Sequence, residues 1–116
     1  MHTRARFGRS GEDAAALFYR RAGFEIERNY RAGRIEIDLV AYKPGLVVFC
    51  EVKTRSSDRW GQPAEAVGYE KQARIRRGAA AWLGERAPGH VEVRFDVVSA
   101  IVVDGRTELS HIPNAF

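Results

Sequence analysis

At 116 residues the chain has room for one domain and too little for two. Hydrophobic residues make up 45% of it, which excludes wholesale disorder, and no apolar stretch is long enough to span a membrane. The net charge is +4, the pI is about 9.6, and only three of the nineteen basic residues are lysine, so nucleic acid is the first partner to test.

Residues 1–9 read as a basic arm on a single domain spanning 1–116, without the apolar region that a secretory signal needs. Ser10 is a good N-cap, with Asp13 three residues later, and Ala14, Leu17 and Phe18 recur at helical spacing. Arg20 and Arg21 suit the negative end of the helix dipole, and Gly23 suits a left-handed stop. Phe24 to Tyr30 alternates as a strand, and Arg31-Ala32-Gly33 reads as a turn. Ile35, Ile37 and Leu39 then alternate with Glu36, Asp38 and Val40 in a second strand, broken by Lys43-Pro44-Gly45. Residues 46–53 form a third strand, apolar on both faces until Glu51 and therefore central. Within it the single cysteine, Cys50, reads as a small buried hydrophobe. A chain with no disulfide fits a reducing compartment, and the expected location is the cytoplasm.

Residues 54–63 form a polar loop whose Trp60 could stack on a base or pack on the sheet. The pattern predicts a long helix from Ala64 to Leu83, buried through Val67, Ile75, Ala79, Trp82 and Leu83. Lys71, Arg74, Arg76 and Arg77 give it a basic side, and Gly84 to Gly89 ends it. Val91 to Val103 is one strand or two, Asp104-Gly105 a hairpin turn, and 107–112 a last, edge strand. This order predicts an α/β domain with a mixed central sheet flanked by helices.

The chemistry concentrates on the hairpin about Pro44-Gly45. If it folds symmetrically, residues whose numbers sum to 89 face each other, so Asp38 opposes Glu51 and Glu36 opposes Lys53. Opposed side chains have Cβ atoms about 4.5–5.5 Å apart, and alternation puts Asp38, Glu51 and Lys53 on one face. Two opposed carboxylates destabilise a sheet unless a cation joins them. Two carboxylates, a backbone carbonyl and waters make an oxygen site for Mg²⁺ or Mn²⁺. Lys53 beside it could hold a scissile phosphate or stabilise an attacking hydroxide. The alternative is an ion-paired surface, with Lys53 on Glu36 and Asp38 capping a turn.

Gly11-Glu12, Glu36-Ile37-Asp38-Leu39-Val40, Phe49-Cys50-Glu51-Val52-Lys53-Thr54-Arg55, Lys71-Gln72 and Arg94-Phe95-Asp96-Val97-Val98 together resemble the YraN-type family of small bacterial proteins. The resemblance spans roughly residues 10–100. It implies a restriction-endonuclease-like, PD-(D/E)XK fold, similar to archaeal Holliday-junction resolvases. Ile37 stands where the nuclease motif has proline, and Ile35 where the family usually has glycine. The resemblance implies Asp38, Glu51 and Lys53 as the metal and catalytic trio, with Glu12 as a further acid.

The expected activity is hydrolysis of a DNA phosphodiester by a metal-activated water, on branched or structured DNA by the resemblance alone. Candidate nucleic-acid contacts are Arg55, Lys71, Gln72, Arg74 and Arg77. A two-fold homodimer would suit two symmetric strands. The rival is a non-catalytic nucleic-acid-binding module on the same scaffold. Glu12 also reads as a first-turn acid and Gln72 as a solvent-facing side chain. Asp96 reads as a buried, hydrogen-bonded structural acid, and His2, His90 and His111 lack zinc-site spacing.

Overall fold

The computed structural model describes residues 2–5, 11–55 and 67–116, and the side chains of 2–5, 55 and 103 are outside that description. Ser10, Trp60 and the expected helix start at Ala64 lie outside the described residues. The elements run β1 (His2–Ala5), α1 (Gly11–Arg21), β2 (Glu25–Ala32), β3 (Ile35–Lys43), β4 (Leu46–Arg55), α2 (Tyr69–Arg86), β5 (Glu92–Val103) and β6 (Arg106–Ile112). One sheet takes the order β1-β6-β5-β4-β3-β2. Its β4–β5 pair is parallel, with α2 as the crossover, and the other pairs are antiparallel. Among the described residues no helix is long and apolar enough to cross a membrane.

The sheet is sandwiched. On one face Ala14, Ala15, Ala16 and Tyr19 of α1 pack on Leu39, Ala41, Val48, Cys50, Val98, Ala100 and Leu109. The small alanines let the helix backbone approach the strands closely. On the other face Ile75, Ala79 and Trp82 of α2 pack on Tyr30, Ile37, Val40, Val47 and Phe49. This is the three-layer α/β arrangement expected, with β4 inside the sheet as its apolar faces require.

Several boundaries differ from expectation. His2–Ala5 is not part of an arm but a strand on the outer side of β6, so β6 is not an edge. The unpaired peptide groups of an outermost strand are a ready template for such an addition. The polar loop starts later, because β4 continues through Thr54 and Arg55 beside β5. Val67 is buried ahead of α2 rather than on it. The helix runs past Gly84 to a left-handed Ala87 cap, where Pro88 follows. Residues 92–103 form one strand, and Asp104 and Gly105 both take positive φ, as a tight primed hairpin turn demands.

The predicted hairpin register holds: Lys43 pairs with Leu46, Tyr42 with Val47, Val40 with Phe49, and Leu39 with Cys50. Beyond that point β3 changes face. Leu39 lies in the α1 core, while Ile37, two residues away, lies in the α2 core. A Cβ on Gly78 of α2 would sit 2.9 Å from the Ile35 side chain and 3.0 Å from that of Ile37. The neighbouring β2 changes face at the same level. Arg28 meets Glu12 and Asp13 of α1, whereas Tyr30 donates to Glu85 of α2. Regular alternation would keep each of these pairs on one face. The break falls at Asn29, whose φ is 55°, and at Asp38.

Candidate functional site

Asp38 therefore stands at a kink and not in a regular ladder. Its Oδ2 accepts the Val52 N–H at 2.8 Å, a donor that an unbroken ladder would give to a β3 carbonyl. The β3–β4 pairing stops at Leu39 and Cys50, one step short of Asp38 and Glu51. The three residues consequently do not share one regular face, as simple alternation suggested. Glu51 and Lys53 lie on the α2 side of β4, and Asp38 reaches toward β4 from the kink.

Burial pushes the Asp38 carboxyl up to about 6. The Val52 N–H works against that rise, and the charges of Glu51 and Glu12 add to it. Glu51 is itself buried, and its Oε2 lies 2.6 Å from Lys71 Nζ, which descends from the first turn of α2. Lys53 is half-buried and lies level with Ser99 on β5. The Ser99 hydroxyl is buried and has no hydrogen-bond partner among the described residues. The alternative of Lys53 on Glu36 is not realised, since Glu36 pairs with Arg31 across β2 and β3 at 3.7 Å.

Glu12 reaches the same region because of Gly11. A Cβ on Gly11 would overlap Thr54 Oγ1 and sit 2.7 Å from Ala100 Cβ, so only glycine seats the helix start there. Glu12 then lies 3.5 Å from Arg28 while its charge is still felt at Asp38.

The donor chemistry suits a hard divalent cation. Asp38 and Glu51 offer carboxylate oxygens in a half-buried setting, which is what Mg²⁺ or Mn²⁺ takes alongside water. Among the described residues no group of three or more His, Cys, Asp or Glu side chains converges as a ready cage. An ion here would use the two carboxylates and complete its shell with water. It would share Glu51 with the Lys71 ammonium.

The model of the uncharacterised protein family UPF0102 matches residues 11–100. A UPF0102 protein of Frankia casuarinae is 46% identical over 118 residues and covers all of both chains. One from Desulforapulum autotrophicum is 46% identical over 112 residues, 96% of this chain and 93% of its own. One from Chloroherpeton thalassium is 40% identical over 114 residues, 97% of this chain and 88% of its own. The chain belongs to the UPF0102 family. This is the YraN-type family that the motifs resemble.

The UPF0102 match runs from Gly11 to Ala100, the two residues whose close contact seats α1 on the sheet. It takes in Glu12, Asp38, Glu51, Lys53 and Lys71, and leaves β1 and β6 outside. The remaining sequence candidates divide. Lys71 joins the site through Glu51, a role its place in a basic helix did not reveal. Gln72 turns back and donates to the Val67 carbonyl at 2.8 Å, fixing the entry to α2. Arg74 and Arg77 are exposed on α2. Arg76 is exposed too, with its guanidinium over the Phe95 ring at 4.5 Å. Arg55 belongs to β4, and its side chain lies outside the described residues.

Asp96 is a fully enclosed structural acid, as expected. Tyr19 donates to its Oδ2 at 2.7 Å, Arg94 binds both oxygens at 2.9 Å, and the Asn114 N–H meets Oδ1 at 3.1 Å. His111 Nε2 lies 2.8 Å from Oδ2, so the histidine to which sequence gave no role completes this cluster.

Proposed function

We propose that this protein is a cytoplasmic, metal-dependent endonuclease that hydrolyses DNA phosphodiester bonds. The observation that carries the reading is that Asp38, at a kink in β3, lies within reach of the charges of Glu51 and of its partner Lys71, with Lys53 two residues beyond Glu51 on β4. Nothing in the packing of the two cores needs two acids there. Asp38 and Glu51 would hold Mg²⁺ or Mn²⁺. Such an ion, when bound, lowers the pKa of water and offsets charge on the phosphate. Lys53 presents a compact positive charge to the scissile phosphate, where charge grows in the transition state. Glu12 contributes a further negative charge, and Arg74 and Arg77 hold the DNA backbone by charge. A two-fold homodimer would address both strands of a symmetric substrate.

One observation favours a second reading, a non-catalytic DNA-binding module. The Lys71 ammonium already sits on Glu51, where an ion would compete with it.

Cleavage of single-stranded, duplex, flap and four-way DNA with Mg²⁺ or Mn²⁺ decides between them. The wild type should cut at least one form, and Glu51→Gln should not. Lys53→Met keeps the apolar stem and should bind DNA normally. Its single-turnover cleavage should fall at least about a hundredfold, the scale of losing one charge-stabilising donor. A wild type that cuts none of these substrates leaves the binding module. A Lys53→Met variant that cuts at the wild-type rate removes Lys53 from the mechanism.

A further inference from the structure

Lys71 is placed against the preference of its own helix. It is the third residue of α2, in the first turn, where the helix dipole favours an acid and opposes a cation. Glu51 is what holds it there: the ammonium lies 2.6 Å from Oε2. The Glu51 side chain is 8% exposed and that of Lys71 is 44% exposed. One end of the pair is therefore fixed in the sheet, and the other is a flexible stem reaching in from solvent. The same charge acts at Asp38, where it lowers the carboxyl against the effect of burial. Lys71 is thus a counter-charge to both acids.

A divalent ion on the same acids removes that role. Mg²⁺ sits about 2.1 Å from a carboxylate oxygen, so an ion and the ammonium sharing Glu51 would stand within roughly 5 Å of each other. The ion carries twice the charge and engages both acids, so the ammonium is the group that leaves. Its helix offers it no other acid. Glu70 precedes it, but adjacent helical residues do not face each other, and the positions one turn on are Arg74 and Ile75. Arg74 is exposed, and the proposed function already lays DNA phosphates against it. A freed ammonium one turn from Arg74 meets the same phosphates.

We propose that Lys71 is an exchangeable cation: it neutralises Glu51 until a divalent ion arrives and then transfers to a DNA phosphate, so that metal and DNA bind more tightly together than apart. The proposal deepens the proposed function and rests on its assignment of the ion to Asp38 and Glu51. By linkage the effect is reciprocal, DNA tightening the ion as much as the ion tightens DNA. A bound ion attracts phosphate in any case, so the signature of Lys71 is the part of the coupling that disappears with its ammonium.

The test is a DNA-binding cycle on the full chain, with Lys53→Met as the parent so that Mn²⁺ can be present while cleavage is slow. Fluorescence anisotropy of a labelled duplex is read in EDTA and in saturating Mn²⁺, for the parent and for the parent carrying Lys71→Met. In EDTA the two should bind equally within about twofold, because Glu51 holds the lysine and salt screens its longer-range field. In Mn²⁺ the Lys71→Met protein should bind about three- to tenfold more weakly, between the size of an exposed ion pair and that of a charge-assisted hydrogen bond. Its log–log salt slope in Mn²⁺ should be shallower by about 0.9, one duplex phosphate, while the slopes in EDTA should match. Arg74→Ala, at a permanent phosphate contact, should weaken binding in both solutions. Circular dichroism should report the same fold throughout.

Equal weakening by Lys71→Met in both solutions overturns the inference and leaves a constant phosphate contact. Weakening in neither overturns it as well, and leaves a lysine that stays on Glu51. Calorimetry of Mn²⁺ on the wild type and on Glu51→Gln then shows what else has failed. Mn²⁺ binding that is lost in Glu51→Gln, with no coupling through Lys71, sinks this inference alone. A wild type that binds no Mn²⁺ sinks the metal-dependent reading with it.

Discussion

Asp96 and Asp38 are acids on the same sheet, and the fold treats them in opposite ways. Burial would raise the Asp96 carboxyl, yet bonds from His111, Arg94 and Tyr19 outweigh it and hold the group at about 2. Both oxygens are used, one cation chelates them, and the residue is closed off from water. Asp38 is half-buried, its one described hydrogen bond comes from the Val52 N–H, and its close charges include two further carboxylates. It ends at about 6. A structural acid is one whose lone pairs the fold has already satisfied. An acid left short of partners is available for a ligand that is yet to arrive.

The largest test of this contrast is Asp96→Ala. Removing the carboxylate leaves Arg94, His111 and Tyr19 without their shared partner, and breaking such a buried group costs about 3–5 kcal/mol. Urea unfolding near neutral pH should show this loss with or without Mn²⁺, and a loss under about 1 kcal/mol would mean the cluster is not structural. The acid side gives a second sign. A folded value near 2, below the ordinary 3.8, contributes stability above pH 3.8 that is lost as pH falls through 2.

Asp38→Asn should act with the opposite sign and a smaller size. A folded value near 6, above 3.8, means that the folded state holds the proton more tightly. That contribution is present below pH 3.8 and lost as pH rises through 6. Above that pH the charged carboxylate opposes folding. Without metal, Asp38→Asn should therefore raise the melting temperature at pH 7.5 by a few degrees, on the order of 1 kcal/mol after allowance for solvent screening. At pH 4 most of that gain should be gone. Equal melting at both pH values would remove Asp38 from the class of strained acids.

How much of this could be read beforehand depends on how local the cause is. The hairpin register followed from Pro44-Gly45 and from alternation, and it holds through Leu39 and Cys50. The kink did not follow, because Ile35, Ile37 and Leu39 look like one uninterrupted apolar face. The one local hint was Asn29, a residue type that tolerates positive φ, on the neighbouring strand. The Asp96 cluster draws Tyr19 from 77 positions away and His111 from 15, distances at which sequence spacing says nothing about contact. Arg94 alone was legible, two residues along on the same strand face. The end of α2 was misread because glycine only weakens a helix, whereas the Ala87-Pro88 step stops one. Lys71 looked like one more cation on a basic helix, since its partner is chosen by how α2 crosses the sheet.

Lys71 and Arg94 give the most discriminating test. Arg94 is 23% exposed and grips a fully buried Asp96, while Lys71 is 44% exposed and touches Glu51 through one oxygen. The second pair is open at the ammonium alone, since its Glu51 side chain is 8% exposed, and such a half-open charged contact contributes about 1–3 kcal/mol. Lys71→Met keeps the stem and deletes the ammonium, so its loss of stability without metal should stay within that range. The same deletion removes the cation that competes for Glu51. Calorimetry should then show Mn²⁺ binding about three- to tenfold tighter than in wild type, the size of one charge-charge contact open to water on one side. Mn²⁺ should also restore the melting temperature of Lys71→Met. It should not restore that of Arg94→Met, because the chelated Asp96 has no room or access for a hydrated ion. Unchanged Mn²⁺ affinity in Lys71→Met would mean that Glu51 does not hold the ion, and the two acids would then differ only in exposure.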